Sequence, residues 1–243
     1  MNSSMILGAA GILAAAALAQ AATGFGFSLL AVPLLGLVAG PVDAVVGSSV
    51  LACLINAVAV ARDHGAVRWR TARTVLAAGL AGLPFGLLLL TVLPARSLTV
   101  LIAFCVLAGA AAIWRGLRIR GGRAAMLTSG FVSGLLTTAT GVNGPPMAAA
   151  FSAMGLPPRQ FRATLAAIFM VVGPLGVAGF VLAGQFTTRA GVIALAGLPA
   201  VVGGWWAGDR LFARLTDPDL FRRVVLAALC VASLITLARA VTA

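Results

Sequence analysis

Ten apolar segments dominate the sequence: 5–22, 25–39, 44–61, 74–93, 97–114, 124–139, 145–155, 163–183, 190–207 and 221–238. Nine contain no charged residue, and the tenth has only Arg222 and Arg223 near its start. A helix needs about 20 apolar residues to cross about 30 Å of hydrocarbon. Hydrocarbon tolerates only structures that satisfy their own backbone hydrogen bonds. The pattern therefore predicts an all-α polytopic membrane protein of about eight to ten membrane segments. Only 9% of the 243 residues are charged and the mean hydropathy is +1.11. Those values exclude a soluble domain, a disordered chain and a secreted disulfide scaffold. The first segment has no basic stretch before it and runs on toward Gly40, so it reads as a membrane segment rather than a cleaved signal peptide.

All 17 basic residues are Arg, and the five acids are Asp43, Asp63, Asp209, Asp217 and Asp219. A net charge of +12 would point to nucleic acid in a soluble chain. In a membrane protein it marks the loops that stay on the cytoplasmic side, so no nucleic-acid partner is expected. If the chain reverses side at every segment, one face holds Arg96, Arg189 and Arg239 and the other holds the remaining 14 Arg. The Arg-rich face is predicted to be cytoplasmic and both termini to lie outside, in a multi-pass protein whose other partner is the lipid bilayer.

Three short matches divide the chain in two. Ala22-Thr23-Gly24-Phe25-Gly26 recurs as Ala139-Thr140-Gly141-Val142-Asn143. The loop from Gly65 to Arg70 recurs from Gly184 to Arg189, and Gly82-Leu83-Pro84 recurs as Gly197-Leu198-Pro199. The halves are 1–120, with a cytoplasmic linker from about 115, and 121–243. Each has about five segments. An odd number makes the second half enter from the opposite side, an inverted-topology repeat of the kind that secondary transporters use.

Segments two and seven are short. Ten residues rise only about 15 Å, half a bilayer, so broken half-helices near the midplane are expected. Each follows a charge-free break: Thr23-Gly24-Phe25-Gly26-Phe27-Ser28 in one half, and Thr140-Gly141-Val142-Asn143-Gly144-Pro145-Pro146 in the other. Non-helical backbone at that depth must line protein or a watery cavity. A helix N-terminus after each break presents N–H groups and the positive dipole end to an anion. The candidate substrate-binding residues are Thr23, Gly24, Phe25, Gly26, Ser28, Thr140, Gly141, Asn143 and Gly144. Ser48, Ser49, Asn56, Thr137 and Thr138 form a second layer of polarity behind them. The alternative reading is that the breaks are tight turns with Gly for packing. Arg159 and Arg162 flank the eighth segment, where they orient the chain or draw anions to its mouth. Trp69, Trp114, Trp205 and Trp206 read as interface anchors.

No Asp, Glu, Lys or His lies in a segment core. Cys53, Cys105 and Cys230 are isolated in apolar runs. Catalytic residues, a metal site and a cofactor are therefore not expected, and the chain does not read as an enzyme.

The A-T-G-x-x breaks at Ala22 and Ala139, each before a Pro-bearing short segment, and the G-x-φ-x-x-R loops resemble the TauE/SafE family of bacterial membrane permeases, grouped as sulfite and organosulfonate exporters. The resemblance spans essentially the whole chain. It implies a secondary permease exporting a small sulfur-containing anion such as sulfite or sulfoacetate. The residues alone support a permease for a small anion or another small polar solute, or a channel-like or scaffolding membrane protein. A homodimer is compatible with all of these.

Overall fold

The computed structural model describes residues 3–23, 26–116, 122–152 and 154–214. The tenth segment, Gly24, Phe25, Cys230 and both chain ends lie outside the described residues. Among those described, nine α-helices follow one another: α1 Ser3–Thr23, α2 Phe27–Ala39, α3 Pro41–Asp63, α4 Trp69–Val92, α5 Ala95–Trp114, α6 Arg123–Ala139, α7 Gly144–Ser152, α8 Pro158–Leu182 and α9 Thr188–Arg214. Each answers to one of the first nine apolar segments. Five of them, α3, α4, α5, α8 and α9, are long and apolar enough to cross a membrane. Leu88, Val92, Phe104, Val181, Leu182, Leu195 and Val202 stand on their outer faces, more than half exposed. In a bilayer these side chains meet lipid.

Several helices run past their apolar segments. α4 starts at Trp69 rather than residue 74, α8 at Pro158 rather than 163, and α9 extends to Arg214 rather than stopping at 207. Hydropathy marks the stretch that suits hydrocarbon, whereas a helix continues through Arg without difficulty. The short helices start where glycine allows. Gly26, before α2, has φ 115°, and Gly141, before α7, has φ 69°. α2 then ends at Gly40, φ 93°, and Pro41 opens α3. Proline is favoured there because the first helical N–H has no partner in any case. α2 has 13 residues and α7 has nine, about 20 and 14 Å of rise. Neither reaches across a bilayer.

Glycine also sets how closely the long helices approach. α6 lies along α4 and α1 along α9, the two most extensive pairings. On the first, Gly130 faces Val75, Gly134 faces Gly79, Gly82 faces the backbone of Phe131 and Leu135, and Gly86 faces the Leu135 backbone and the Thr138 hydroxyl. On the second, Gly204 and Gly208 face the backbone of Ala14 and Leu18. The Gly-x-x-x-Gly spacings at 82/86, 130/134 and 204/208 are those that let membrane helices meet backbone to backbone. Thr138 strengthens the first pairing by donating to the Leu83 carbonyl at 2.7 Å. α3 packs on α8 through the centre, and also on α9, while α4 also packs on α8.

Polar contacts mark the two ends of the bundle. Asp43, at the start of α3, accepts from Thr187 just before α9. At the other end of the same helices Arg62 pairs with Asp209 at 3.3 Å, and Arg159 pairs with Asp63 at 2.6 Å. Two of the tryptophans, Trp69 and Trp114, are exposed at helix ends. Trp206 is exposed too and carries the Arg210 guanidinium on its ring, 3.3 Å from the centroid. Trp205 departs from the expected anchor role. It turns inward against the core, and its indole Nε1 is buried with no hydrogen-bond partner among the described residues.

Candidate functional site

The two glycine breaks meet. Gly26, Ser28 and Leu29 from the first, and Gly141, Val142, Asn143 and Gly144 from the second, line one cavity of about 30 Å³. Its walls are completed by Gln20 of α1, by Ser49, Ala52, Cys53 and Asn56 of α3, by Thr137 of α6, and by Phe169 and Gly173 of α8. Among the described residues, no charged side chain lines it. A water needs roughly 10–15 Å³ by this measure, so the space is that of about two or three waters.

The second break is held by a chain of hydrogen bonds along one face of α6. Ser133 donates to the Asn143 carbonyl at 2.9 Å, and Thr137 donates to the Ser133 carbonyl at 2.8 Å. The Asn143 carboxamide donates to Thr137 Oγ1 at 3.1 Å. Thr140 donates to Leu136 and accepts the Val142 N–H at 3.2 Å. These bonds fix the four-residue turn that brings Asn143 to the cavity wall.

The helix termini contribute unequally. In α2 the first-turn N–H groups of Phe27, Ser28 and Leu29 have no acceptor within the helix. The Phe27 N–H is taken by Gln20 Oε1 at 2.9 Å. In α7, Pro145 and Pro146 carry no N–H, so that terminus offers only the N–H of Gly144 and its dipole. The Asn143 carboxamide stands in for the donors that the two prolines remove.

Of the residues singled out from the sequence, Gly26, Ser28, Gly141, Asn143, Gly144, Ser49, Asn56 and Thr137 line the cavity. Thr23 closes α1, within the helix rather than in the break. Thr140 is buried beneath the turn that it braces. Ser48 and Ser49 both donate to the Val45 carbonyl, but only Ser49 reaches the cavity. Thr138 points to α4. Ser133 and Gln20 escaped the sequence reading. Ser129, Ser133 and Thr137 recur every four residues on one face of α6, and Gln20 is the one carboxamide of the first apolar segment. Both signals were present.

A second cavity of about 340 Å³ adjoins, lined by Gln20, Asn56, Ala59, Arg62, Asp63, Arg159, Arg162, Ala163, Ala166, Trp205 and Asp209. Three guanidinium groups and two carboxylates leave it with one net positive charge. Arg162 does more here than orient the chain: it donates to the Ala21 carbonyl at 2.9 Å.

Asn143→Ala deletes a donor to the central cavity together with the Thr137 contact. If an anion sits there, losing a hydrogen bond to a charged partner costs about 1.5–3 kcal/mol, or roughly ten- to hundredfold in affinity. The concentration for half-maximal transport should rise by that factor at unchanged expression.

Comparison with known proteins gives one family. The family described as sulfite exporter TauE/SafE matches residues 7–236. A protein of Cupriavidus necator named "Probable sulfite/organosulfonate exporter TauE" is 28% identical over 230 residues, which covers 90% of this chain and 88% of that protein. No solved structure matches.

Proposed function

The chain belongs to the sulfite exporter TauE/SafE family, and from that premise we propose that it is a carrier moving a small sulfur-containing anion, sulfite or an organosulfonate, out across the bacterial inner membrane. The observation that carries the reading is the central cavity. Two helix N-termini and the side chains of Ser28, Thr137 and Asn143 converge there without a fixed charge. Dipoles and neutral donors favour an anion yet hold it less firmly than a buried Arg would. Weak holding suits a site that must release its cargo. The name of the Cupriavidus relative supports the sulfur chemistry.

The carrier is built as two inverted repeats, 1–120 and 121–243. Exchanging the halves turns α1 into α6 and α4 into α9, so the α4/α6 pairing becomes the α9/α1 pairing, and α3 with α8 maps onto itself. The α3/α9 and α4/α8 contacts also exchange. These correspondences support a two-fold relation in the membrane plane. α1–α2 and α6–α7 then form hairpins that enter from opposite faces and meet at the midplane.

The end bearing Arg62, Arg159 and Arg162 faces the cytoplasm, and the end bearing Asp43 and Thr187 faces outward. Reporter fusions near Arg70 and Arg214 should read cytoplasmic, and fusions at Met1 and Ala243 should read external. A cytoplasmic C-terminus contradicts the inverted repeat.

The transport reading is tested with proteoliposomes loaded with ³⁵S-sulfite or sulfoacetate. Saturable efflux that is accelerated by the same anion outside is the expected result. Flux equal to that of empty vesicles, or flux that never saturates, contradicts a carrier.

A further inference from the structure

Gln20 and Asn56 are the two residues common to the linings of the central cavity and the large vestibule. Both are carboxamides, 6% and 5% exposed. Burying such groups in an apolar bundle is costly unless they are hydrogen-bonded, and their bonds are uneven. Gln20 Oε1 accepts the Phe27 N–H at 2.9 Å, a good bond. Gln20 Nε2 reaches Asn56 Oδ1 at 3.4 Å, beyond the usual range for such a bond. The strong bond occupies the first free N–H of α2, which is the donor an anion at that terminus would use. The weak bond spans the boundary between the two cavities. One residue further on, Arg162 holds the Ala21 carbonyl at 2.9 Å, which fixes the end of α1 that carries Gln20.

We propose that the Gln20–Asn56 pair is the barrier between vestibule and central cavity, and that Gln20 Oε1 holds the place of a substrate oxygen at the Phe27 N–H. The inference rests on the central cavity being the anion site. An arriving anion accepts the Phe27 N–H in a charge-assisted bond, stronger than the neutral bond to Gln20. Gln20, displaced, gives up its long contact to Asn56 at little cost, and the barrier opens. Opening is thereby tied to occupancy, because the anion favours the state in which Phe27 N–H is free. The net positive vestibule concentrates anions before this step.

Cys53 lines the central cavity and reports access to it. In a Cys105→Ser, Cys230→Ser background, a membrane-impermeant anionic methanethiosulfonate is applied to membrane vesicles from each side. From the Arg-rich side, labelling of Cys53 should be about three- to tenfold faster in Gln20→Ala, the fold-change that one hydrogen bond is worth, and faster by a smaller factor in Asn56→Ala, which loses only the long contact. From the opposite side the rates should not change. Methanesulfonate should slow labelling in both variants, and at a lower concentration in Gln20→Ala, where nothing competes for the Phe27 N–H. Asn56→Ala keeps the Gln20–Phe27 bond. If Gln20→Ala does not accumulate, Gln20→Met replaces it at similar volume.

Unchanged labelling in both variants would overturn the barrier, and equal protecting concentrations would overturn the competition for Phe27. Faster labelling without protection by methanesulfonate in any chain would leave the barrier standing and contradict the anion site instead.

Discussion

A Gly134→Val chain is expected to lose a large part of its stability. A Cβ at this position would land on the Gly79 carbonyl, with the Gly79 Cα 2.8 Å away. Both walls are backbone, so neither can swing aside as a side chain would. Overpacking a well-packed core costs about 1–3 kcal/mol, and here two helices must part along their whole contact. With total stability on the order of 5–15 kcal/mol, a loss of 3 kcal/mol or more is severe. At about 2–4 °C per kcal/mol for a chain of this size, the melting temperature in detergent should fall by about 10 °C, with little monodisperse protein recovered. Gly8→Val is the control: nothing lies within 4 Å of a Cβ there. A Gly134→Val protein as stable as Gly8→Val would contradict the backbone-to-backbone packing of α4 and α6.

Gly141→Val should do the reverse, sparing the fold and abolishing transport. Gly141 has φ 69°, and a Cβ there would lie 3.1 Å from Val32 Cγ2. A β-branched residue resists positive φ, and holding it there costs about 1–3 kcal/mol of local strain. The turn relieves that strain by shifting Val142 and Asn143, which moves the donors away from the cavity. Transport should fall at least about a hundredfold, while expression and melting temperature stay near those of the unaltered chain. The glycines of α4 and α6 fix the distance between helices, whereas Gly141 fixes a direction of the chain at the site.

Much of this was legible in the sequence because its strongest signals are covalent. Glycine and proline cannot hide where the chain breaks, and nine apolar segments became nine helices. The pairing of the breaks pointed to Gly26, Ser28, Gly141, Asn143 and Gly144, which the fold gathers around one cavity. What escaped depended on direction. Thr137 and Thr138 are adjacent, so about 100° of helix rotation separates them. One faces the cavity and the other donates to α4. Residue type alone does not distinguish them. Gln20 was passed over because a single carboxamide in an apolar run looks incidental until its partners, Phe27 and Asn56, are in place. Trp205 misled for the same reason: its position near a segment end suited an anchor, but its face points inward.

The central claim, a neutral anion site built from the two breaks, is tested most directly by equilibrium binding of ³⁵S-sulfite to the purified protein. Saturable binding is expected, displaced by unlabelled sulfite and methanesulfonate, weakened roughly ten- to hundredfold by Asn143→Ala, and absent from folded Gly141→Val. Undiminished binding in folded Gly141→Val, or no displaceable binding in the unaltered chain, would contradict it.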